Sequence, residues 1–321
     1  MIVDSHQDIA WNALAEGRGF TGTPAAGYLV SRQALADAGV GLVFATVFTA
    51  PAGTRWLHLP YGYRTAREAY LLGRSQVSYY ESVGLPLIRT REQLQDYSRS
   101  WRPGQLAAVL LMENADPIES PRQVGEWFDR GLRVVGPAWA RTRYCGGTMA
   151  PGGLTEAGRR LLRALRRHAV ILDLSHMADR SVRDSLELWT GPLIASHVGA
   201  RSLCDRQRQL PDEVIREVAA RDGLLGVSLY SGHLRLEPPS SIADVVEHAT
   251  HFARVAGDTR FVGLGSDLDG GFGAELAVID SLADLSSLRR ALTKRFGVDE
   301  ADGIMGGNWL RFLGAALPSA A

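Results

Sequence analysis

Short apolar runs, each closed by polar residues, alternate with amphipathic stretches along this chain. Two of them, Val170–Leu174 and Pro192–Ala195, end in Ser-His pairs, Ser175-His176 and Ser196-His197, with an amphipathic segment between. Runs of this kind suit strands buried on both faces, and a helical spacer between two of them predicts a right-handed βαβ unit. Both histidines then stand at the C-terminal ends of neighbouring parallel strands. The same pattern predicts strands at Met1–Ser5, Gly41–Phe48, Gln105–Met112, Arg133–Ala138, Leu224–Tyr230 and Arg260–Ser266. Helical periodicity fills the intervals: residues 9–39 with an interruption at Gly19–Gly27, residues 64–102, Pro121–Gly131, Thr155–Arg167, Pro211–Ala220, Ser241–Ala256, Ser281–Phe296 and Asp299–Leu317. Eight strands alternating with helices predict an α/β fold, a (β/α)8 TIM barrel forming a single domain over residues 1–321.

Three connections are read as loops. Ala50–Tyr63 is long and holds Trp56, His58 and two tyrosines, which suits either a lid over the barrel mouth or ordinary surface packing. Trp139–Gly153 is glycine-rich, and Arg201–Gln209 is polar and arginine-rich. In the helix at Thr155–Arg167 the arginines take one face and Leu161, Leu162 and Leu165 the other, as in a solvated outer barrel helix. His248 and His251 share one side of a helix but lack the glutamate and the spacing of a zinc-protease HExxH, so an outer-surface position is expected for both. Gly263-x-Gly265 is not a dinucleotide fingerprint, because the third glycine is misplaced and no helix opens on it.

Composition narrows the partners. Lys+Arg and Asp+Glu are both 35, so the net charge is zero and nothing favours nucleic acid or an anionic membrane. Small neutral or zwitterionic substrates fit better. Cys145 and Cys204 are too few for a disulfide framework, which suggests a reducing compartment. The opening Met1-Ile-Val-Asp-Ser-His leaves no room for a signal peptide, and no apolar run is long enough to span a bilayer, so a cytoplasmic protein with no membrane partner is expected.

The chemistry gathers at strand ends. His6 and Asp8 lie two residues apart on an extended chain and so face one side, an arrangement that suits zinc or another divalent ion. Glu113, directly after an apolar run, needs a partner, because an unpaired buried charge is expensive. With His176, His197 and Asp267 this makes three histidines and three carboxylates, enough for two divalent ions bridged by Glu113 with Asp267 beside them. Lys294 is the only lysine and lies on a late helix, so neither a carboxylated-lysine metal bridge nor a Schiff-base mechanism is available.

DSHQD at 4–8, the strand ending in Glu113, ILDLSHM at 171–177, IASH at 194–197, GLGSDLDG at 263–270 and GNWLR at 307–311 together resemble the membrane dipeptidase (renal dipeptidase, peptidase M19) branch of the amidohydrolase superfamily. The resemblance spans almost the whole chain. It implies a dipeptidase with two zinc ions, other divalent metals being possible: His6 and Asp8 on one, His176 and His197 on the other, Glu113 bridging, and a metal-bridging hydroxide attacking the peptide bond. It also implies that Asp267 handles the proton, that Arg208 pairs with the substrate carboxylate, that Tyr230 lines the pocket, and that the protein forms a homodimer. Two positions depart from the pattern. Trp139 falls where animal members carry a carbonyl-polarising histidine, and Glu113 is followed by Asn-Ala-Asp rather than Gly-Gly-His. Substrate preference and carbonyl polarisation are where those departures act. The alternatives are a related amidohydrolase for a β-lactam, N-acyl amino acid or cyclic amide, and a non-catalytic metal-binding barrel.

Overall fold

Eight apolar runs pair in parallel, in chain order, around a closed barrel. This is seen in a computed structural model that describes residues 1–54 and 62–320. The barrel strands are β1 (Ile2–Gln7), β2 (Val40–Phe48), β3 (Ala107–Glu113), β4 (Leu132–Gly136), β7 (Ile171–Asp173), β8 (Leu193–Val198), β9 (Leu224–Val227) and β10 (Val262–Leu264), and helices fill the intervals. Pairing of Asp4 in β1 with Leu264 in β10 closes the ring. The fold is the (β/α)8 barrel that the alternation predicts.

Every residue of β2 and β3 is buried, which is why these strands read as continuous apolar runs. Alternation still sorts them into two sets. Val43, Ala45 and Val47 of β2, with Ala108, Leu110 and Met112 of β3, join the cluster shared with the outer helices. Leu42 and Phe44, with Ala107, Val109 and Leu111, join the inner cluster instead. Glu113 continues the second series, so its carboxylate emerges at the C-terminal mouth.

The inner cluster is closed by Trp309 of the GNWLR stretch, fully buried, with its indole Nε1 donating to the Leu264 carbonyl at 3.0 Å and its ring edge-on to Phe44. A Cβ on Gly263 would collide with this indole, and one on Gly265 with the Ser196 carbonyl. Those glycines serve barrel packing. Trp309→Ala should therefore cost about 3–5 kcal/mol of unfolding free energy, the range for a large aromatic lost from a rigid core. Urea melts would read it, and a loss below about 1 kcal/mol would show that the base of the barrel relaxes around the gap.

Several expectations need correction. The helix expected over 64–102 is two helices, Ala66–Ser82 and Arg91–Ser100, each opened by a capping box, Thr65 with Glu68 and Thr90 with Gln93. Gly84, at φ 60°, and Pro86 make the break. The interruption expected within 9–39 is present but wider than Gly19–Gly27, separating the helices Ile9–Glu16 and Arg32–Asp37. The glycine-rich loop contains an antiparallel hairpin, β5 (Cys145–Gly147) with β6 (Ala150–Leu154). The seventh barrel strand ends at Val227 rather than Tyr230, because Ser231–Leu234 turns into a short helix.

His248 and His251 are not on the outer surface. The loop after β8 and the 231–234 turn fold over that helix face: His248 Nδ1 accepts from the Ala200 amide and Nε2 faces the Leu234 carbonyl, while His251 pairs with Asp212 at 2.7 Å. The arginines of the helix Glu156–Arg167 do face solvent, and Leu161, Leu162 and Leu165 are buried as expected. Trp56 and His58 of the expected lid lie outside the described residues. Among the described residues no helix is long and apolar enough to cross a membrane.

Candidate metal centre

The strand ends bring the six predicted side chains together. His6 sits near the end of β1 and Asp8 just beyond it; Glu113 is the last residue of β3, and His197 lies inside β8. His176 follows β7 and Asp267 follows β10, both in the left-handed backbone region at φ 65° and 60°. Non-glycine residues seldom adopt that conformation, and here it turns each side chain into the mouth.

Glu113 stands at the centre. Its Oε2 lies 3.4 Å from His6 Nε2, while Oε1 lies 2.9 Å from His176 Nε2 and 3.5 Å from His197 Nε2. His6 Nε2 is also 3.6 Å from Asp8 Oδ2 and 3.8 Å from Asp267 Oδ1. The donor atoms therefore form overlapping groups, His6 with Asp8 and Glu113, and Glu113 with His176 and His197, each within 4.8 Å. A third group joins His6, His197 and Asp267. One carboxylate faces two separate sets of nitrogen donors.

Whether these residues suit a cation can be tested on their polar atoms. Both ring nitrogens of His6 and Oε1 of Glu113 are buried without a hydrogen-bond partner among the described residues. Orphaned buried polar atoms are rare and costly, and divalent cations would satisfy them. The charge balance agrees. Burial alone would lower the His6 imidazole, but the Glu113 and Asp8 carboxylates outweigh it and hold its pKa well above the usual value. The pocket thus demands positive charge beside these carboxylates. Burial likewise opposes ionisation of Glu113, yet His6 and His176 hold it well below the normal carboxylate range. Burial, with Arg208 nearby, pushes His176 down to about 4, and burial with His6 takes His197 well below the ordinary value. Neutral imidazole is the ligating form. Asp267 moves the other way: burial, helped by Asp8 and Glu113, raises its carboxyl well above normal despite His6.

A layer of buried hydroxyls and carboxylates holds the cluster from beneath. Ser196 Oγ donates to Asp173 Oδ2 at 2.5 Å and therefore accepts from His197 Nδ1 at 2.9 Å, which leaves Nε2 as the bare nitrogen facing Glu113. Asp173 also accepts from the Ser175 and Ser196 amides. On the other side Asp4 accepts from the Ser266 amide and hydroxyl and from Gln7 Nε2. Thr148, at the tip of the β5–β6 hairpin, places its hydroxyl 3.0 Å from His176 Nδ1, and Thr46 bonds Asp8. Partners of this kind set ligand orientation, and their loss weakens metal binding about 10–100-fold. Ser196→Ala should show a loss in that range by competition with a metal-sensitive dye. Wild-type affinity in the variant would reduce Ser196 to packing.

A cavity of about 350 Å³ opens above the cluster and is walled by Trp139, Trp11, Phe48, Tyr230, His233 and Phe272. Trp139 packs edge-on against Phe48, 6.3 Å from the His176 ring, and Tyr230 stacks on Phe272 at 4.4 Å. Arg208 does not line this cavity. It lies buried behind His197, one Nη donating to the His197 carbonyl at 2.8 Å, with Nε and the other Nη unpartnered among the described residues. Trp11, Phe48, Thr148, Phe272 and His233 were not singled out from sequence. Only His233 had a chemical signal there, a histidine shortly after a predicted strand.

A closed parallel barrel that presents paired histidines and carboxylates at its strand ends belongs to the (β/α)8 barrels with a strand-end metal site. Within that class, the profile of the membrane dipeptidase family (peptidase family M19) matches residues 1–320, and the chain belongs to this family. Dipeptidase aclJ of Aspergillus oryzae is 29% identical over 220 residues, 66% of this chain and 52% of the relative, so the chain spans about half the length of that curated protein. Dipeptidase AC, a metallopeptidase of family M19, superposes with a TM-score of 0.87 at 22% identity over 99% of each chain. A metallopeptidase from Rhodobacter sphaeroides, solved with a phosphinate mimic of the dipeptide L-Ala-D-Ala, gives 0.86 at 21% identity over 98% of this chain and 99% of its own. At such identities the superpositions establish the shared fold.

Proposed function

We propose that this chain is a binuclear metal-dependent dipeptidase that hydrolyses free dipeptides, with zinc the cation best matched to its imidazole and carboxylate donors. One observation carries the reading: the two oxygens of Glu113 face different nitrogen donors, which supports a single side chain that would hold two ions. His6 and Asp8 would hold one of them, and His176 and His197 the other. The bound pair would supply Lewis acidity and a nucleophilic water near neutral pH. Family membership supports the hydrolase class, and the dipeptide mimic in the Rhodobacter neighbour supports the substrate class.

The protein's own groups do the rest. Burial raises the carboxyl of Asp267, 3.8 Å from His6, so that its ionised form is a stronger base than an ordinary carboxylate. It takes the proton of the attacking water and returns it to the leaving nitrogen, so that one water is consumed and two amino acids are released. Trp139, Phe48 and Trp11 wall the cavity with apolar surface and keep bulk water from the reacting carbonyl. Arg208 lies behind His197 and off the cavity wall; its two guanidinium nitrogens without partners among the described residues would pair with the substrate's carboxylate once binding opens a way to them, which would restrict length to two residues.

Metal analysis with a dipeptide panel that includes L,D pairs tests the proposal. Two equivalents of metal and hydrolysis lost on chelation are expected; a metal-replete preparation inert on the panel would overturn it. Arg208→Ala should raise KM for free dipeptides at least about tenfold while barely changing the poor rate on C-terminally amidated ones. An unchanged KM would remove Arg208 from substrate binding.

A further inference from the structure

One polar group on the cavity wall has no part in the scheme above. His233 is 7% exposed and stands in the short helix Ser231–Leu234 just after β9, where it lines the cavity beside Asp267 and Tyr230. Its ring lies 6.1 Å from the His197 ring, and its Nδ1 is 3.8 Å from Asp267 Oδ2. A carbonyl presented to the strand-end donors would therefore lie beside the wall that this imidazole forms.

Local bonding decides which nitrogen carries the proton. Ser228 Oγ accepts from the Tyr230 amide at 3.0 Å and lies 2.9 Å from His233 Nδ1. Those are its only partners among the described residues, so its own proton is satisfied only by donation to Nδ1. The neutral imidazole must then hold its hydrogen on Nε2. That nitrogen makes no hydrogen bond within the described protein, although the residue lines the cavity. Tyr230, edge-on to the ring at 4.9 Å, fixes the orientation. A rigid, unpartnered N–H on a residue that walls a reaction cavity is what a developing oxyanion requires.

We propose that His233 is a catalytic residue whose Nε2–H binds the substrate carbonyl oxygen and strengthens that bond as charge builds on it during attack. The inference rests on the dipeptidase reading. No bond to His233 forms or breaks, and its proton stays on Nε2. Ser228 is a positioning residue that sets the tautomer.

The test is a kinetic series on the metal-replete full chain. His233→Phe keeps the ring but lacks the donor, and kcat should fall about 10²–10³-fold, the loss seen when one oxyanion donor is removed. Metal content and KM should change by less than about threefold, and affinity for a phosphinate dipeptide mimic should fall in proportion to kcat. His233→Gln, whose side-chain amide reaches the same place, should recover at least about tenfold of the loss, and Ser228→Ala should cost about tenfold.

An unchanged kcat in His233→Phe overturns the inference, as does a rise in KM alone, which would mark a ground-state contact. A loss of metal in proportion to activity overturns it in favour of a structural role, and so does absence of rescue in His233→Gln. Wild-type protein inert on every dipeptide sinks the dipeptidase reading and this inference with it. An active wild type equalled by His233→Phe sinks the inference alone.

Discussion

Glu113→Gln is expected to abolish dipeptide hydrolysis, with kcat/KM falling at least about 10⁴-fold, or about 5.4 kcal/mol of transition-state stabilisation. The substitution keeps the volume and removes the one charge that both donor sets share. Each group now relies on Glu113: His6 on Oε2, His176 and His197 on Oε1. An amide oxygen ligates a divalent cation more weakly than a carboxylate, and its NH₂ would point at imidazole nitrogens or at a cation. Metal content should drop below two equivalents by elemental analysis, with the far-UV circular dichroism unchanged because β3 keeps its apolar inner face. A variant with both ions and activity within tenfold of wild type would refute the bridge.

Asp267→Asn is the second large effect, and its signature differs. Metal content should hold, because Asp8, Glu113 and the three histidines remain. kcat should fall about 10²–10⁴-fold, the contribution of a positioned general acid and base, with KM little changed. Its direction of pKa shift strengthens the case. Burial and two neighbouring carboxylates raise Asp267 while Glu113, in the same pocket, is lowered by imidazoles. Two carboxyl groups pushed apart in one site mark different duties, one to hold charge and one to exchange a proton. An unchanged kcat would take Asp267 out of the reaction. Combined loss of metal and activity would make it a ligand instead, which its place in the His6–His197–Asp267 group allows.

Much of this site was legible in the chain because the mouth of a parallel barrel is a local feature. An apolar run buried on both faces marks a strand, and the polar residue that ends it marks the C-terminal edge. His6, Glu113, His176, His197 and Asp267 all follow that rule, and the structure brings them within reach of shared centres. The underlying layer was half legible. Ser5, Ser175, Ser196 and Ser266 each precede a strand-end ligand candidate, but nothing in the order of residues says that Ser196 joins Asp173 to His197.

Where the reading failed, contact across distance was responsible. His248 and His251 have the spacing of a solvent-facing pair, and only the loop after β8, the 231–234 turn and the start of the helix Asp212–Ala220, packed over that face, bury them. The β5–β6 hairpin has no alternation to announce it, being mostly glycine and proline, yet it delivers Thr148 to His176.

The sequence by itself determined the barrel, its strand edges and the kinds of donor at them, since periodicity and strand-end polarity are properties of neighbouring residues. Tertiary structure alone decided which donors share an atom, which nitrogen of His197 is bare, and that His233 faces the cavity. Those outcomes depend on loop closure between segments as far apart as Asp4 and Ser266, where an angstrom separates a hydrogen bond from none.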